Sequence, residues 1–217
     1  MKTVLISPCD FASRKQLPMT KLVEMRETVA HYLTGPVVQL LAKTSITPNA
    51  LTWFGFLLSV GAAVLITTEH LFAAGFIVLV AGLFDMLDGA LARHTNQTTR
   101  FGAVLDSTLD RITEVILLLG LLVLYAREQS IVGILLIGVT LPSSLLVSYT
   151  RAIAEAAGLN CKVGLFTRAE RVIVLALGLL LSQIDYALIT ALGIIALFSF
   201  FTIGQRLFHI RRQMKSD

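Results

Sequence analysis

Cysteine is scarce. Cys9 and Cys161 are the only two in 217 residues, and neither has a partner nearby in the sequence. Zinc, iron–sulfur and thioredoxin-like redox motifs need paired ligands at short spacing, so all three are excluded. The histidines, His31, His70, His94 and His209, are scattered. No serine–histidine–aspartate set accompanies them, which argues against a serine hydrolase. Charge is thin, at 15% of residues, below the share that clothes an ordinary soluble domain. Internal repeats and low-complexity stretches are missing, which removes solenoids and the doubled halves of many transporters. The first twenty residues hold Asp10, Arg14, Lys15 and proline but no apolar run of useful length. A cleavable secretion signal is therefore not expected.

What fills the chain is hydrocarbon. Its 55% hydrophobic content and mean hydropathy of +0.79 exceed the needs of a soluble domain and suit a bundle in lipid. Long apolar segments run near Leu51–Thr68, Leu71–Leu91, Phe101–Ala126, Ile131–Ala154, Ala169–Ser182 and Tyr186–Phe208. Most reach the roughly 20 residues a spanning helix needs. The fifth is short unless Leu165–Thr167 joins it. The expected fold is an all-α integral membrane protein, with six transmembrane helices over residues 47–217. Residues 1–46 form a cytoplasmic segment in which Leu22, Met25, Val29 and Leu33 share one helical face. That pattern predicts an amphipathic helix lying in the membrane interface. Gly35-Pro36 interrupts it, and Thr47-Pro48-Asn49 opens the first span. Pro142, followed by Ser143 and Ser144, predicts a kink in the fourth.

The net charge of +4 is placed beside apolar segments. Anionic headgroups or a phosphorylated substrate fit this better than nucleic acid. Cations crowd the N-terminal region, the connection holding Arg93 and Arg100, the one holding Arg151, Lys162, Arg168 and Arg171, and the tail. The opposite connections offer Glu69, Arg127, Glu128 and Asp185. By the positive-inside rule both termini face the cytoplasm of a multi-pass plasma-membrane protein.

Against this background, acids inside apolar segments stand out. Asp85 and Asp88 lie at i and i+3, sharing a helical face with Ala92, while Gly102, Asp106 and Asp110 lie at i, i+4 and i+8. A carboxylate at mid-bilayer costs roughly 2.5–3.5 kcal/mol on the mildest insertion scale, so the four need neutralising. A short polar turn, Asn96–Thr99, lets the two stripes face each other across a cleft. Oxygen-only ligands select hard cations such as Mg²⁺ or Mn²⁺. Two such ions sharing carboxylates can clamp a diphosphate. Gly89, Ala92 and Gly102 have almost no side chain and leave room for a nucleotide. Arg93 can fork onto phosphate oxygens. The rival from another class is a divalent-cation transporter, since intramembrane carboxylates also line ion paths. Arg93 and the small residues speak for a nucleotide instead.

Asp85-x2-Asp88-Gly89-x2-Ala92-Arg93-x8-Gly102-x3-Asp106-x3-Asp110 resembles the signature of the CDP-alcohol phosphotransferase family, with every fixed position matched. The resemblance implies metal-dependent displacement of CMP from a CDP-linked lipid by a polar alcohol. It implies that Asp85, Asp88, Asp106 and Asp110 bind metal, and that Asp110 is also the general base. Gly89 and Arg93 would contact the CDP group, and Asn49, Thr52 and Thr99 match nucleotide-side positions more loosely. Relatives form homodimers, so a homodimer in membrane lipid is expected by analogy.

Ser148-Tyr149-Thr150-Arg151, Arg168-Ala169-Glu170-Arg171 and Gln205-Arg206 resemble motifs of the phosphatidylinositol-phosphate synthase branch of that family. The likeness implies that Ser148, Arg151, Arg168, Arg171 and Arg206 form a cationic pocket for inositol 1-phosphate. Relatives often read Arg-Ala-Arg-Ala-Glu where this chain has Arg151-Ala152-Ile153-Ala154-Glu155, so one cation is missing at Ile153. Glycerol 3-phosphate, serine and free inositol are the alternative acceptors. Glu114, one turn past Asp110 and near Arg111, reads as a partner in an internal ion pair or as a support behind the metal ligands, rather than as a group in direct chemistry.

Overall fold

A computed structural model describes residues 35, 37–44, 46–159, 163, 164 and 166–216. The interfacial helix expected around Leu22–Leu33 lies outside them. The described residues form helices and turns without strands. A short helical stretch at 37–41 precedes α1 (Pro48–Thr67), α2 (Leu71–His94), α3 (Arg100–Arg127), α4 (Ile131–Ala156), α5 (Arg168–Leu180) and α6 (Ala187–Ser216).

Several helix starts are written locally. Thr47 caps α1 through its side chain, with Pro48 in the first turn, and Thr99 caps α3 by accepting from the Gly102 N–H at 2.9 Å. Thr167 and Glu170 form a reciprocal capping box at α5. Four ends share another device. His70, Gln97, Ser130 and Leu159 each donate a backbone N–H to the carbonyl five residues back, at 2.9–3.0 Å. The residue before each is left-handed: Glu69, Asn96, Gln129 and Gly158 have φ of +66°, +53°, +55° and +75°. Only Gly158 takes that conformation at no steric cost, and asparagine tolerates it. Gln129→Gly should therefore raise stability by about 0.5–1 kcal/mol. Thermal unfolding in detergent checks this, and a lower midpoint would show that the seat is unstrained.

The helices close into a ring. α1 packs on α2 and α3, α3 on α4, α4 on α6, α6 on α5, and α5 back on α2. Small residues let the backbones approach. A side chain on Gly75 of α2 would meet the Leu180 amide at 2.9 Å and the Ala176 carbonyl at 3.0 Å, and one on Gly120 of α3 would meet the Ala63 carbonyl at 3.1 Å. The Arg127 guanidinium joins the far ends of α3 and α1 by donating to the Thr67 carbonyl at 2.8 Å.

Among the described residues four helices, α1, α2, α4 and α6, are long and apolar enough to cross a membrane. In each, no more than 39% of the most apolar window is buried inside the protein. Leu57, Phe76, Leu135 and Leu197 instead point outward, more than half exposed, as lipid-facing side chains do. The expected six long apolar helices are thus not all alike. α3 has 28 residues but carries Asp106, Asp110 and Arg111 in its first half and Glu114 just past its midpoint. α5 has 13, about 20 Å, because it begins at Arg168 with Thr167 as its N-cap. Pro142 lies within a continuous α4, where the Ser143 hydroxyl donates to the Thr140 carbonyl at 2.9 Å.

Candidate active site

α2 and α3 are not neighbours in the ring. Each packs against α1, and their acids meet across the space between them. One oxygen from each of Asp85, Asp106 and Asp110 lies within 4.8 Å of the other two. Three converging carboxylates, all partly exposed to the cleft, are a donor set for a hard divalent cation. Asp88, expected as a fourth ligand, stands apart from this trio. It is 4% exposed, lies beside Thr52 of α1, and has a buried Oδ2 with no hydrogen-bond partner among the described residues. An orphaned, buried carboxylate oxygen one turn from Asp85 fits the same chemistry.

The nucleotide-side positions collect at the same end. A Cβ on Gly102 would stand 2.9 Å from the Thr99 hydroxyl and 3.3 Å from the Asn49 side-chain oxygen, so those three residues are brought together. A Cβ on Gly89 would stand 3.4 Å from the Arg93 guanidinium. Ala92 lies half-buried on the same helix. The turn-helix around 37–41 seats here as well, through Val38 packed with Leu51 and Leu91.

The arginines expected to hold an acceptor phosphate are placed less uniformly. Arg168 Nη1 is 2.6 Å from Asp85 Oδ2 and 2.6 Å from Asp110 Oδ1, so it bridges the two acid stripes. Arg171, 2% exposed, grips Glu114 with two N–H groups at 2.6 and 3.0 Å. Glu114 is indeed in an internal ion pair, but with α5 rather than with Arg111, which donates to the Ser107 carbonyl in its own helix. Arg206 is buried and donates to the Val147 and Val163 carbonyls. Arg151 is exposed and paired with Glu155 at 2.8 Å, and Ser148 is half-buried on the same helix.

Two cavities flank Arg168. One, between α1, α2, α3 and α5, is lined by Thr52, Ser59, Asp85, Asp110 and Thr113 among others. The second, between α3, α4, α5 and α6, is lined by Glu114, Thr140, Ser144 and Arg171 among others. Sequence reasoning missed that Arg168 and Arg171 at i, i+3 complement Asp110 and Glu114 at i, i+4. The signal was present as two rungs of opposite charge at matching helical spacing.

Residues 45–203 match the family described as CDP-alcohol phosphatidyltransferase. The chain belongs to this family. Within it, the chain is 39% identical over 194 residues to a phosphatidylinositol phosphate synthase of Mycobacteroides abscessus, covering 86% of both chains. It is also similar to solved structures of phosphatidylinositol phosphate synthase from Mycobacterium tuberculosis. The form with CDP-DAG bound is 35% identical with a TM-score of 0.74, over 82% of this chain and 94% of that one. The form in complex with manganese and citrate is 36% identical with a TM-score of 0.72, over 82% and 88%. The manganese in that relative's complex agrees with the oxygen donors assembled here.

Proposed function

We propose that this chain is a phosphatidylinositol phosphate synthase of the CDP-alcohol phosphotransferase family. It transfers the phosphatidyl group of CDP-diacylglycerol to inositol 1-phosphate and releases CMP. The observation that carries the reading is the trio Asp85, Asp106 and Asp110 converging in one cleft. The mycobacterial relatives supply the substrate class.

The two-ion form of the family's chemistry assigns Asp85, Asp88, Asp106 and Asp110 as ligands. Bound there, Mg²⁺ or Mn²⁺ neutralises the diphosphate and the departing CMP. Arg93, Gly89, Ala92, Gly102, Asn49, Thr52 and Thr99 bind and orient the CDP group. Asp110 takes the proton of the acceptor hydroxyl, and that oxygen attacks the β-phosphorus in line. Positioning and neutralisation supply most of the acceleration.

The acceptor phosphate belongs with Ser148, Arg151 and Arg206. Arg206 reaches the carbonyl of Val147, next to Ser148 and one turn from Arg151, which supports a pocket between α4 and α6. Arg168 and Arg171 stand toward the acids on its inner side.

The six-span arrangement follows if α3 and α5 also lie in the bilayer, with the charged half of α3 at the cytoplasmic end. Both termini, the 1–46 segment and the site then face the cytoplasm. Each subunit of a homodimer would hold one site.

The test offers the purified chain CDP-diacylglycerol with Mg²⁺ and inositol 1-phosphate, glycerol 3-phosphate, serine or inositol in turn, and measures CMP. Inositol 1-phosphate should be the preferred acceptor, and preference for another would overturn the assignment. Arg206→Ala should raise the KM for inositol 1-phosphate about tenfold or more, with little change for CDP-diacylglycerol. Equal effects on both substrates would remove Arg206 from the acceptor pocket.

A further inference from the structure

We propose that Arg168 is a tethered competitor of the divalent cation, seated on two of the oxygens that an ion would take and displaced when one binds. This rests on the functional reading only in that the acid trio takes a divalent cation.

One guanidinium nitrogen sits 2.6 Å from both Asp85 Oδ2 and Asp110 Oδ1. Mg²⁺ binds carboxylate oxygens at about 2.0–2.1 Å and demands a full coordination shell. Ion and guanidinium would then face the same lone pairs with like charges almost in contact. Only one of them can hold both oxygens.

Arg168 is also built to yield. It is the first residue of α5, and a cation at a helix N-terminus gains nothing from the helix dipole. Its hold comes from the aspartates. Its buried Nε has no hydrogen-bond partner among the described residues, and its side chain lines both cavities. Glu114 lines the second cavity with it, so a carboxylate stands on the inner side as well. Arg171, three residues on, contrasts with it, held by two bonds to Glu114 and almost fully buried. One rung between α3 and α5 is therefore permanent and the other contested. Without Arg168 the acid trio would bind an ion more tightly. With it, any ligand that draws the guanidinium away also tightens the ion, because coupling between two sites is reciprocal.

The experiment titrates Mn²⁺ into the purified full-length protein in detergent, with neither lipid nor acceptor, and reads free Mn²⁺ by electron paramagnetic resonance. Arg168→Gln should bind Mn²⁺ about tenfold more tightly, within the usual 5–150-fold range of site coupling. Arg168→Lys, whose single ammonium spans the two carboxylates less well, should fall between, and it decides the matter if the glutamine variant fails to fold. Asp85→Asn should weaken Mn²⁺ binding. Unchanged or weaker affinity in the Arg168 variants overturns the proposal, as does full affinity in Asp85→Asn. No turnover is measured, so an error in the acceptor would leave this result intact.

Discussion

Asp110→Asn should leave a folded protein that releases CMP from CDP-diacylglycerol about a thousandfold more slowly. Asparagine preserves the volume and one oxygen but can neither accept a proton at neutral pH nor bring a negative charge to the ion. Loss of a positioned base alone costs about 10²–10⁴ in rate. The fold should survive because the Asp110 side chain is one-fifth exposed in the cleft. The packing of α3 rests on Leu117, Leu118, Leu121 and Leu124, each nearly inaccessible. Circular dichroism and gel filtration check folding, and a CMP assay checks rate. Near-wild-type turnover would strip Asp110 of both roles.

The second large effect is on stability. Glu114 and Arg171 are 9% and 2% exposed at the side chain and locked by two bonds. Removing one partner strands a charge in an apolar interior, which costs about 3–5 kcal/mol. Glu114→Leu alone should lower the unfolding midpoint sharply, and Arg171→Met alone should do the same. The double replacement removes both charges at similar volume and should recover most of the loss, since buried pairs are often matched by apolar substitutes. If the double variant is as unstable as the singles, the pair is not the source. Should it recover stability but lose preference for a phosphorylated acceptor, Arg171 also serves the acceptor.

Much of the site could be read before the structure because its chemistry is local. Asp85 with Asp88, and Asp106 with Asp110, are spaced within single helices, where period and face decide the geometry. Gly102 and Thr99 are three residues apart, so their meeting at a helix cap is also a local matter. What sequence could not show is which helices stand side by side. Arg171 meets Glu114 across 57 positions and Arg168 meets Asp85 across 83. The pairing of Glu114 with Arg171 rather than with nearby Arg111 follows from the ring, which sets α5 opposite the acid face of α3. The division of the four acids into a trio and a buried Asp88 has the same origin, since Asp88 is buried beside Thr52 of α1. Length and apolarity single out four of the six helices because α3 is long but polar in its first half, and α5 is apolar but short.

The place of α1 has one more consequence. It lies close to both neighbours: a Cβ on Gly55 would stand 3.5 Å from the Ala81 carbonyl of α2, and one on Gly120 of α3 would stand 3.1 Å from the Ala63 carbonyl of α1. Those contacts act as the stops of a calliper. The bite between the opposing acids is gauged by a helix that lends the trio no carboxylate of its own, and a single extra methyl group at Gly120, where α3 seats on α1, would be felt as a change of aperture.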